Sequence, residues 1–201
     1  MSAREEVLAA VRAALVGVVP APDPPRAPQV RPPRDVVAHF AERVADYRAV
    51  VERCARDELE ARVAAALAPA STVVVPPGLD LAVAGAVEDA GLAARELEEF
   101  EAVVTRARVG IAETGTIVLD HGPGQGRRAL TLVPDRHVCV VAAGQVVLDV
   151  ADALAVLDPR RPQTWVSGPS ATSDIELERV EGVHGPRTLH VIVVDDAQPL
   201  D

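Results

Sequence analysis

An acidic residue lies at a point in this sequence where a buried strand should end. Glu113 is followed by Thr114, Gly115 and Thr116, and these four residues lie between the apolar runs VGIA and TIVLD. Both runs are rich in β-branched residues, so we predict two buried strands joined by a tight turn. Glycine accepts a positive φ at such a turn, and the two threonines place hydroxyls beside the carboxylate. Because open α/β sheets bind ligands at strand ends, the turn is a candidate ligand-binding site, with Glu113 as the candidate catalytic residue.

A second polar stretch, VSGPSATSDIELERVEGVHGPR at 166–187, also begins at a predicted strand end and collects small, hydroxyl, acidic and histidine side chains. Its candidate ligand-binding residues are Gly168, Ser170, Thr172, Ser173, Asp174, His184 and Gly185. We expect it to meet the Glu113 turn at one pocket. The alternative is that Thr-Gly-Thr forms an ordinary connecting turn with an exposed glutamate beside it.

The loop HGPGQGRR at 121–128 offers glycine amides beside Arg127 and Arg128, which could cradle a carboxylate or phosphate. It lacks the spacings of the nucleotide-binding glycine motifs, and a flexible loop with two solvated arginines is an equal alternative. His121 could transfer a proton near neutral pH, although a surface histidine is the commoner outcome.

Metal and hydrolase chemistry are poorly supported. A metal site made of His121, His184 and Glu113 is conceivable by residue type, but no close ligand spacing accompanies it. The sequence has no G-x-S-x-G motif for a serine hydrolase. Cys54 and Cys139 are far apart, and an iron–sulfur cluster usually needs four thiolates. We therefore expect no metal and no cofactor in this chain.

Three segments together carry a family resemblance: AETGT at 112–116, SGPSATSDIE at 167–176 and GVHGPR at 182–187. In this order and spacing they resemble the LUD domain of the LutC-type lactate utilization proteins. The resemblance implies a fold similar to the NagB/RpiA/CoA-transferase group, which includes ribose-5-phosphate isomerase. It also implies a role in oxidising L-lactate to pyruvate, with binding of a small anionic ligand and iron–sulfur proteins as partners.

The same resemblance leaves a second function open. A strand-end glutamate is the nucleophile of CoA-transferases, and Glu113 occupies a comparable kind of position. The alternative is therefore a stand-alone enzyme of the CoA-transferase or sugar-phosphate isomerase type that uses Glu113.

Composition narrows the class of protein. The 201 residues are 49% hydrophobic, which suits one domain with its own core. All 20 basic residues are arginine, which excludes Schiff-base and Walker-lysine chemistry. A net charge of −10 and 2% aromatic residues argue against nucleic-acid binding. Apolar runs too short to span a membrane and a charged N-terminus predict a cytoplasmic protein.

The spacing of apolar residues and the positions of the prolines divide the chain into three parts. These are a helix at 1–18, a linker at 19–33 with seven prolines, and a LUD domain at 34–201. We predict a three-layer α/β sandwich whose sheet is mostly parallel, with a local antiparallel pair at the Glu113 turn. Predicted helices begin at Asp35, at Asp57 with a capping pattern to Glu60, at Asp80 and at Asp149. Strands are predicted at 47–54, 72–75, 130–133, 138–142, 165–166 and 189–194. Residues 92–107 are predicted to form a strand and then a short helix.

Overall fold

A computed structural model of the protein describes residues 2–19, 33–172, 180–181 and 185–195. The chain divides into two units, Met1–Arg31 and Pro32–Asp201. The first unit contains helix α1 (Ala3–Ala14). The Ser2 hydroxyl accepts a hydrogen bond from the Glu5 amide, and the Glu5 carboxylate accepts one from the Ser2 amide. This reciprocal cap is the one that the sequence predicts.

The second unit contains the other helices and all the strands of the described residues. Its helices are α2 (Val36–Asp46), α3 (Leu59–Leu67), α4 (Ala94–Leu97) and α5 (Val150–Val156). Its strands are β1 (Val50–Cys54), β2 (Val73–Val75), β3 (Val87–Glu88), β4 (Ala102–Arg106), β5 (Val109–Ile111), β6 (Thr116–Leu119), β7 (Arg136–Ala142), β8 (Val146–Val147), β9 (Thr164–Val166), β10 (Ala171–Thr172), β11 (Val180–Glu181) and β12 (Thr188–Val194). No helix in these ranges is long and apolar enough to cross a membrane.

Six strands form a parallel sheet in the order β1-β12-β7-β4-β2-β3. A second, mixed sheet has the order β8-β5-β6-β9, in which β6 is antiparallel to both of its neighbours. Strands β10 and β11 form a separate antiparallel pair. The predicted α/β class and the antiparallel pair beside Glu113 are confirmed, and that pair lies in the second sheet.

Strand β7 shows why its sequence lacks apolar and polar alternation. Cys139 and Val141 pack on one face with Phe40 of α2 and with Ile117 and Leu119 of β6. Both sheets and α2 therefore share one core layer. From Val138 to Ala142 the strand is buried on both faces and carries an apolar residue at every position, as predicted.

The opposite face of the six-stranded sheet is covered by α3. Val138 and Val140 of β7 pack there with Leu59 and Val63. Helix α5 closes the far side of the second sheet, where Ala153 contacts the cluster of buried residues from β5 and β6. The layers are therefore α3, the parallel sheet, and the mixed sheet with its helices.

The predicted helix at Asp80–Ala90 is wrong. Val87 and Glu88 form β3 and pair with Val74 and Val75 of β2. Gly85 has a φ of +71°, which interrupts a helix, and Asp80 forms an ion pair with Arg106. These tertiary contacts override the helical propensity of the alanines.

Three other local predictions are corrected. In residues 92–107 the helix α4 comes before the strand β4, because β4 is buried between β2 and β7. The apolar run at Leu130 belongs to a 3-10 turn, Arg128–Thr131, and packs beneath α4 with Leu97. The predicted Asp57–Glu60 cap is also wrong: among the described residues α3 begins after Glu58 without a side-chain cap, and the hydrogen bond from the Ala55 amide to the Glu58 carboxylate caps the preceding 3-10 turn, Arg56–Glu58.

Candidate functional site

The turn between β5 and β6 is fixed by its glycine. Gly115 has a φ of +58°, and a Cβ at this position would lie 2.6 to 2.8 Å from backbone atoms of Arg43 and Val44. Only glycine allows the turn to approach the end of α2 this closely. The tight turn that the sequence predicts is present, and its centre is buried against a helix.

Hydroxyl groups join this turn to the second polar stretch. Thr116 Oγ1 lies 2.7 Å from Thr114 Oγ1 and 2.8 Å from Ser167 Oγ. The structure thus brings the Glu113 turn against the start of 166–187, where β6 pairs with β9. Among the described residues, these hydroxyls find their partners in one another.

Glu113 itself is exposed on this turn. Its backbone amide donates a hydrogen bond to the Leu148 carbonyl at 2.9 Å. Within the described ranges its carboxylate has no hydrogen-bond or ion-pair partner. The carboxylate is therefore available to bind a group outside the chain.

The second stretch is described only in part. Ser173, Asp174 and His184 lie outside the described residues, and so does the side chain of Thr172. Gly168 has a φ of +87°, and a Cβ there would lie 2.5 Å from Tyr47 Cβ. The Ser170 amide donates to the Pro186 carbonyl at 2.8 Å, and Gly185 lies beside Ser170. The part that is described is closely packed.

Beneath Gly168 and Ser170 is a cavity of about 20 Å³, also lined by His137 and Leu189. This volume is about that of one water molecule, far below the hundreds of Å³ typical of ligand sites. His137 and Leu189 are the second residues of β7 and β12, so the cavity lies at the amino ends of the parallel strands. We call the loop residues Gly168 and Ser170, together with the Glu113 turn, the amino-edge cluster.

His137 belongs to the core under the amino-edge cluster. Its Nε2 lies 2.8 Å from Thr105 Oγ1, and the Thr105 hydroxyl also donates to Cys139 Sγ at 3.6 Å. Burial lowers the pKa of His137 to about 4 and raises the pKa of the Cys139 thiol to about 12. Both groups are therefore neutral at physiological pH, which suits a structural role.

The opposite edge of the sheet carries the glycine-rich loop. The Arg106 amide, at the end of β4, donates to the Gly124 carbonyl at 2.7 Å, and the Gly124 amide donates to the Pro77 carbonyl at 2.9 Å. Residues 121–127 are thereby held over the carboxyl ends of β2 and β4. This is the edge where parallel α/β sheets usually bind ligands.

A cavity of about 580 Å³ opens beside this loop. Its lining residues are Pro77, Gly78, Asp89, Gly91, His121, Gly122, Pro123, Gly126 and Arg127. The volume lies in the usual range for small-molecule sites, and glycines at the wall expose backbone to an incoming ligand. Among the cavities lined by described residues, it is larger than a second one beside the same loop.

Arg127 is anchored in this cavity by Asp89. Its Nε and Nη2 donate to the two carboxylate oxygens at 2.7 and 3.1 Å, and the hydrogen bond from Arg127 is the main cause of the lowered pKa of Asp89. The predicted cradle therefore has one arginine already paired, while Arg128 begins a 3-10 turn. Sequence reasoning missed Asp89. The Asp-x-Gly pattern at 89–91 could have indicated a turn held by the aspartate, since Asp89 Oδ1 accepts a hydrogen bond from the Gly91 amide at 3.1 Å.

His121 lines the same cavity in a left-handed conformation, with a φ of +60°. Its Nε2 lies 2.9 Å from Thr164 Oγ1 of β9. Glu113 precedes β6 and His121 follows it, so the two lie beyond opposite ends of a strand that spans roughly 10 Å. Among described residues no group of three or more metal-ligating side chains comes together.

Comparisons with known proteins agree with the fold and the motifs. Residues 79–194 match the model of the LUD domain. A lactate utilization protein C of Deinococcus radiodurans is 44% identical over 96% of this chain and 95% of its own length. Another from a Geobacillus strain is 31% identical over 49% of this chain and 44% of its own.

A solved structure is also similar. The crystal structure of a DUF162 family protein from Deinococcus radiodurans has a TM-score of 0.69 and 40% identity, and the match covers 84% of this chain and 100% of that one. With more than half of the chain matched by the domain model and nearly its whole length by a relative, this chain belongs to the LUD domain family.

Proposed function

We propose that this protein is a cytoplasmic component of an L-lactate utilization system, which oxidises lactate to pyruvate with the help of iron–sulfur partner proteins. The observation that carries the proposal is the 44% identity to a lactate utilization protein C over 96% of the chain. The protein binds a small anionic ligand, and its redox centres are supplied by its partners.

The cysteine chemistry supports a dependence on partners for redox centres. Cys54 and Cys139 are both buried, and burial raises the pKa of each thiol. A protonated, buried thiol is a poor iron ligand, and a cluster usually needs four thiolates.

We therefore predict that the purified single chain contains no iron. The measurement is an iron and acid-labile sulfide assay on samples prepared with and without oxygen. Stoichiometric iron in the single chain would contradict the prediction. Recovery of iron only when the chain is purified together with other proteins is the expected result.

Growth of a deletion strain tests the proposed function directly. Removal of the gene should abolish growth on L-lactate as the carbon source and leave growth on pyruvate unchanged, because pyruvate lies after the oxidation. The wild-type gene should restore growth on L-lactate. Unchanged growth of the deletion strain on L-lactate would contradict the proposal.

The alternative, a stand-alone enzyme that uses Glu113, makes a different prediction. The purified chain would turn over an acyl-CoA or a sugar phosphate by itself. Glu113 is exposed and lines neither of the described cavities beside the glycine-rich loop. The geometry therefore favours the first proposal, and a turnover assay on the single chain separates the two.

A further inference from the structure

The last residue of β4 is a buried arginine with an unsatisfied donor. Only 5% of Arg106 is exposed, and its Nε is paired with Asp80. Its Nη1 is buried and has no hydrogen-bond partner among the residues that the structure describes. A buried charged donor without an acceptor costs stability, so an acceptor that came within reach of Nη1 on ligand binding would be bound favourably.

Arg106 lines a cavity of about 360 Å³, which shares the wall residues Gly122 and Pro123 of the glycine-rich loop with the larger cavity. Arg108 and Arg161 line it as well, together with Asp120 and Gln125. The volume suits a small molecule, and three guanidinium groups at one cavity are unusual in a chain whose net charge is −10. We call it the arginine cavity.

Charge pairing in the arginine cavity leaves one positive charge in excess. Arg106 is paired with Asp80, and Arg161 Nε lies 3.2 Å from Asp120 Oδ2. The remaining acid of the lining, Asp158, is paired with Arg160 at 3.0 Å. Arg108 is exposed and has no ion-pair partner in the described part of the chain. A ligand with a single negative charge would therefore balance the cavity.

Polar groups converge on Gly122 at the cavity wall. A Cβ on Gly122 would lie 3.2 Å from Arg161 Nη2, 3.3 Å from Gln125 Nε2 and 3.1 Å from Asp120 Oδ1. The first two are donors suited to carboxylate oxygens, and the third is an acceptor suited to a hydroxyl. Glycine keeps this convergence open, because any side chain would fill it.

We propose that the arginine cavity is the binding site of a small monocarboxylate, in which Arg106 and Arg108 bind the carboxylate. The choice of 2-hydroxy and 2-oxo acids as ligands rests on the proposed function, whereas the site rests on its own geometry. The β5–β6 hairpin separates the two sites. Arg108 lies next to Val109 and Leu119 at the open end of the hairpin, and Glu113 lies one strand length away at its turn. One small acid therefore cannot contact both the arginines and the Glu113 turn.

Ligand-observed NMR titration of the purified chain tests the site. The probes are sodium pyruvate, sodium L-lactate and sodium phosphate at constant ionic strength. We expect saturable binding of pyruvate or L-lactate, weaker or no binding of phosphate, and at least about a tenfold loss of affinity in Arg108→Gln. Arg106→Gln should lose binding altogether, with its fold checked by circular dichroism.

The matched control is Arg95→Gln, which removes the same charge from an exposed position on α4. It should bind as the wild type does. Because Arg108 is exposed, Arg108→Gln remains decisive if Arg106→Gln does not fold. The proposal is overturned if no carboxylate binds, if phosphate binds more tightly than both acids, or if Arg95→Gln loses as much affinity as Arg108→Gln.

The growth test and the titration can fail separately. Binding of pyruvate that depends on Arg108, in a chain whose deletion does not affect growth on L-lactate, upholds the site and contradicts the proposed function. A growth defect in the deletion strain, with no binding to the purified chain, upholds the proposed function and contradicts the site.

Discussion

The two edges of the parallel sheet carry loops of similar composition that are built in opposite ways. At the amino-edge cluster, Gly115 and Gly168 are pressed against neighbouring backbone and side chain, hydroxyls bond one another, and the cavity holds about 20 Å³. At the carboxyl edge, the glycine-rich loop is flanked by cavities of about 580 and 360 Å³. Glycine at the first edge permits close packing, whereas glycine at the second leaves room.

This difference separates two reasons for a loop to be rich in glycine and small polar residues. One is to let elements approach, and the other is to expose backbone and charged side chains to a ligand. Composition alone does not distinguish them. Mutations at matched positions can distinguish them.

The largest effect should come from Gly115→Ala. The new Cβ would meet the backbone of Arg43 and Val44, which cannot move aside as a flexible side chain could. With the strain of a φ of +58°, we expect a loss of about 3 kcal/mol in the free energy of unfolding. The measurement is urea denaturation of the purified variant.

Gly85→Ala is the matched control for that change. Its φ is +71°, but nothing lies within 4 Å of the added Cβ. It should therefore lose only the backbone contribution, about 1 to 2 kcal/mol. Equal losses in the two variants would show that the amino-edge turn is not held by its contact with α2.

The next effect concerns pH and the histidine beneath the amino-edge cluster. In the unfolded chain His137 has a pKa of 6.5, and in the folded chain burial lowers this pKa to about 4. Its contribution to stability is therefore fully present above pH 6.5 and is lost as the pH falls toward 4. Between pH 7 and pH 5 we expect a loss of about 2 kcal/mol from this residue.

His137→Asn isolates that contribution, because asparagine offers Thr105 a hydrogen-bond partner but does not titrate. Its unfolding free energy should depend less on pH between 7 and 5 than that of the wild type, by about the same 2 kcal/mol. An unchanged pH dependence would mean that His137 is open to protonation in the folded state, as expected of a functional site and not of a packed core.

At the carboxyl edge, Arg127→Gln should have a smaller effect on stability. It leaves the buried Asp89 carboxylate with its two amide donors but without its cation. Because 41% of the Arg127 side chain is exposed, solvent screens the pair, and we expect a loss of about 1 to 2 kcal/mol. Denaturation at neutral pH measures it.

Arg160→Gln is the control for Arg127, since Arg160 is paired with Asp158 but 88% of its side chain is exposed. A solvent-exposed pair of this kind contributes little to stability, so the loss should be smaller than in Arg127→Gln. A larger loss than in Arg127→Gln would contradict the view that the Asp89 pair holds the carboxyl-edge loop.

The smallest effect on stability should be that of Glu113→Gln, which keeps the shape of the side chain and removes its charge. The residue is exposed, so the free energy of unfolding should change by no more than about 0.5 kcal/mol. We predict that growth on L-lactate nevertheless falls at least about tenfold, because we expect the exposed Glu113 carboxylate to contact a ligand or a partner protein. A variant that melts several degrees lower with unchanged growth would make Glu113 a structural residue.

Local patterns in the sequence were enough to predict several elements of the fold. β-branched runs on either side of Thr-Gly-Thr predicted the β5–β6 hairpin, and the apolar run ending at Ala142 predicted a strand buried on both faces. The family motifs at 112–116 and 167–187 also pointed to the family correctly. In each case the neighbouring residues in the sequence are enough to predict the conformation, because a buried strand requires a run of apolar residues whatever it packs against.

Features that depend on contacts between distant segments of the chain could be seen only in the folded structure. Residues 80–90 have helical composition, yet pairing with β2 and the ion pair to Arg106 hold them in turns and the short strand β3. Arg106 ended an apolar run in the sequence, but its burial and its unsatisfied Nη1 arise only when β4, the glycine-rich loop and Asp80 meet. The cavities at the carboxyl edge are spaces between segments far apart in the chain, and no local pattern specifies the volume that such segments enclose.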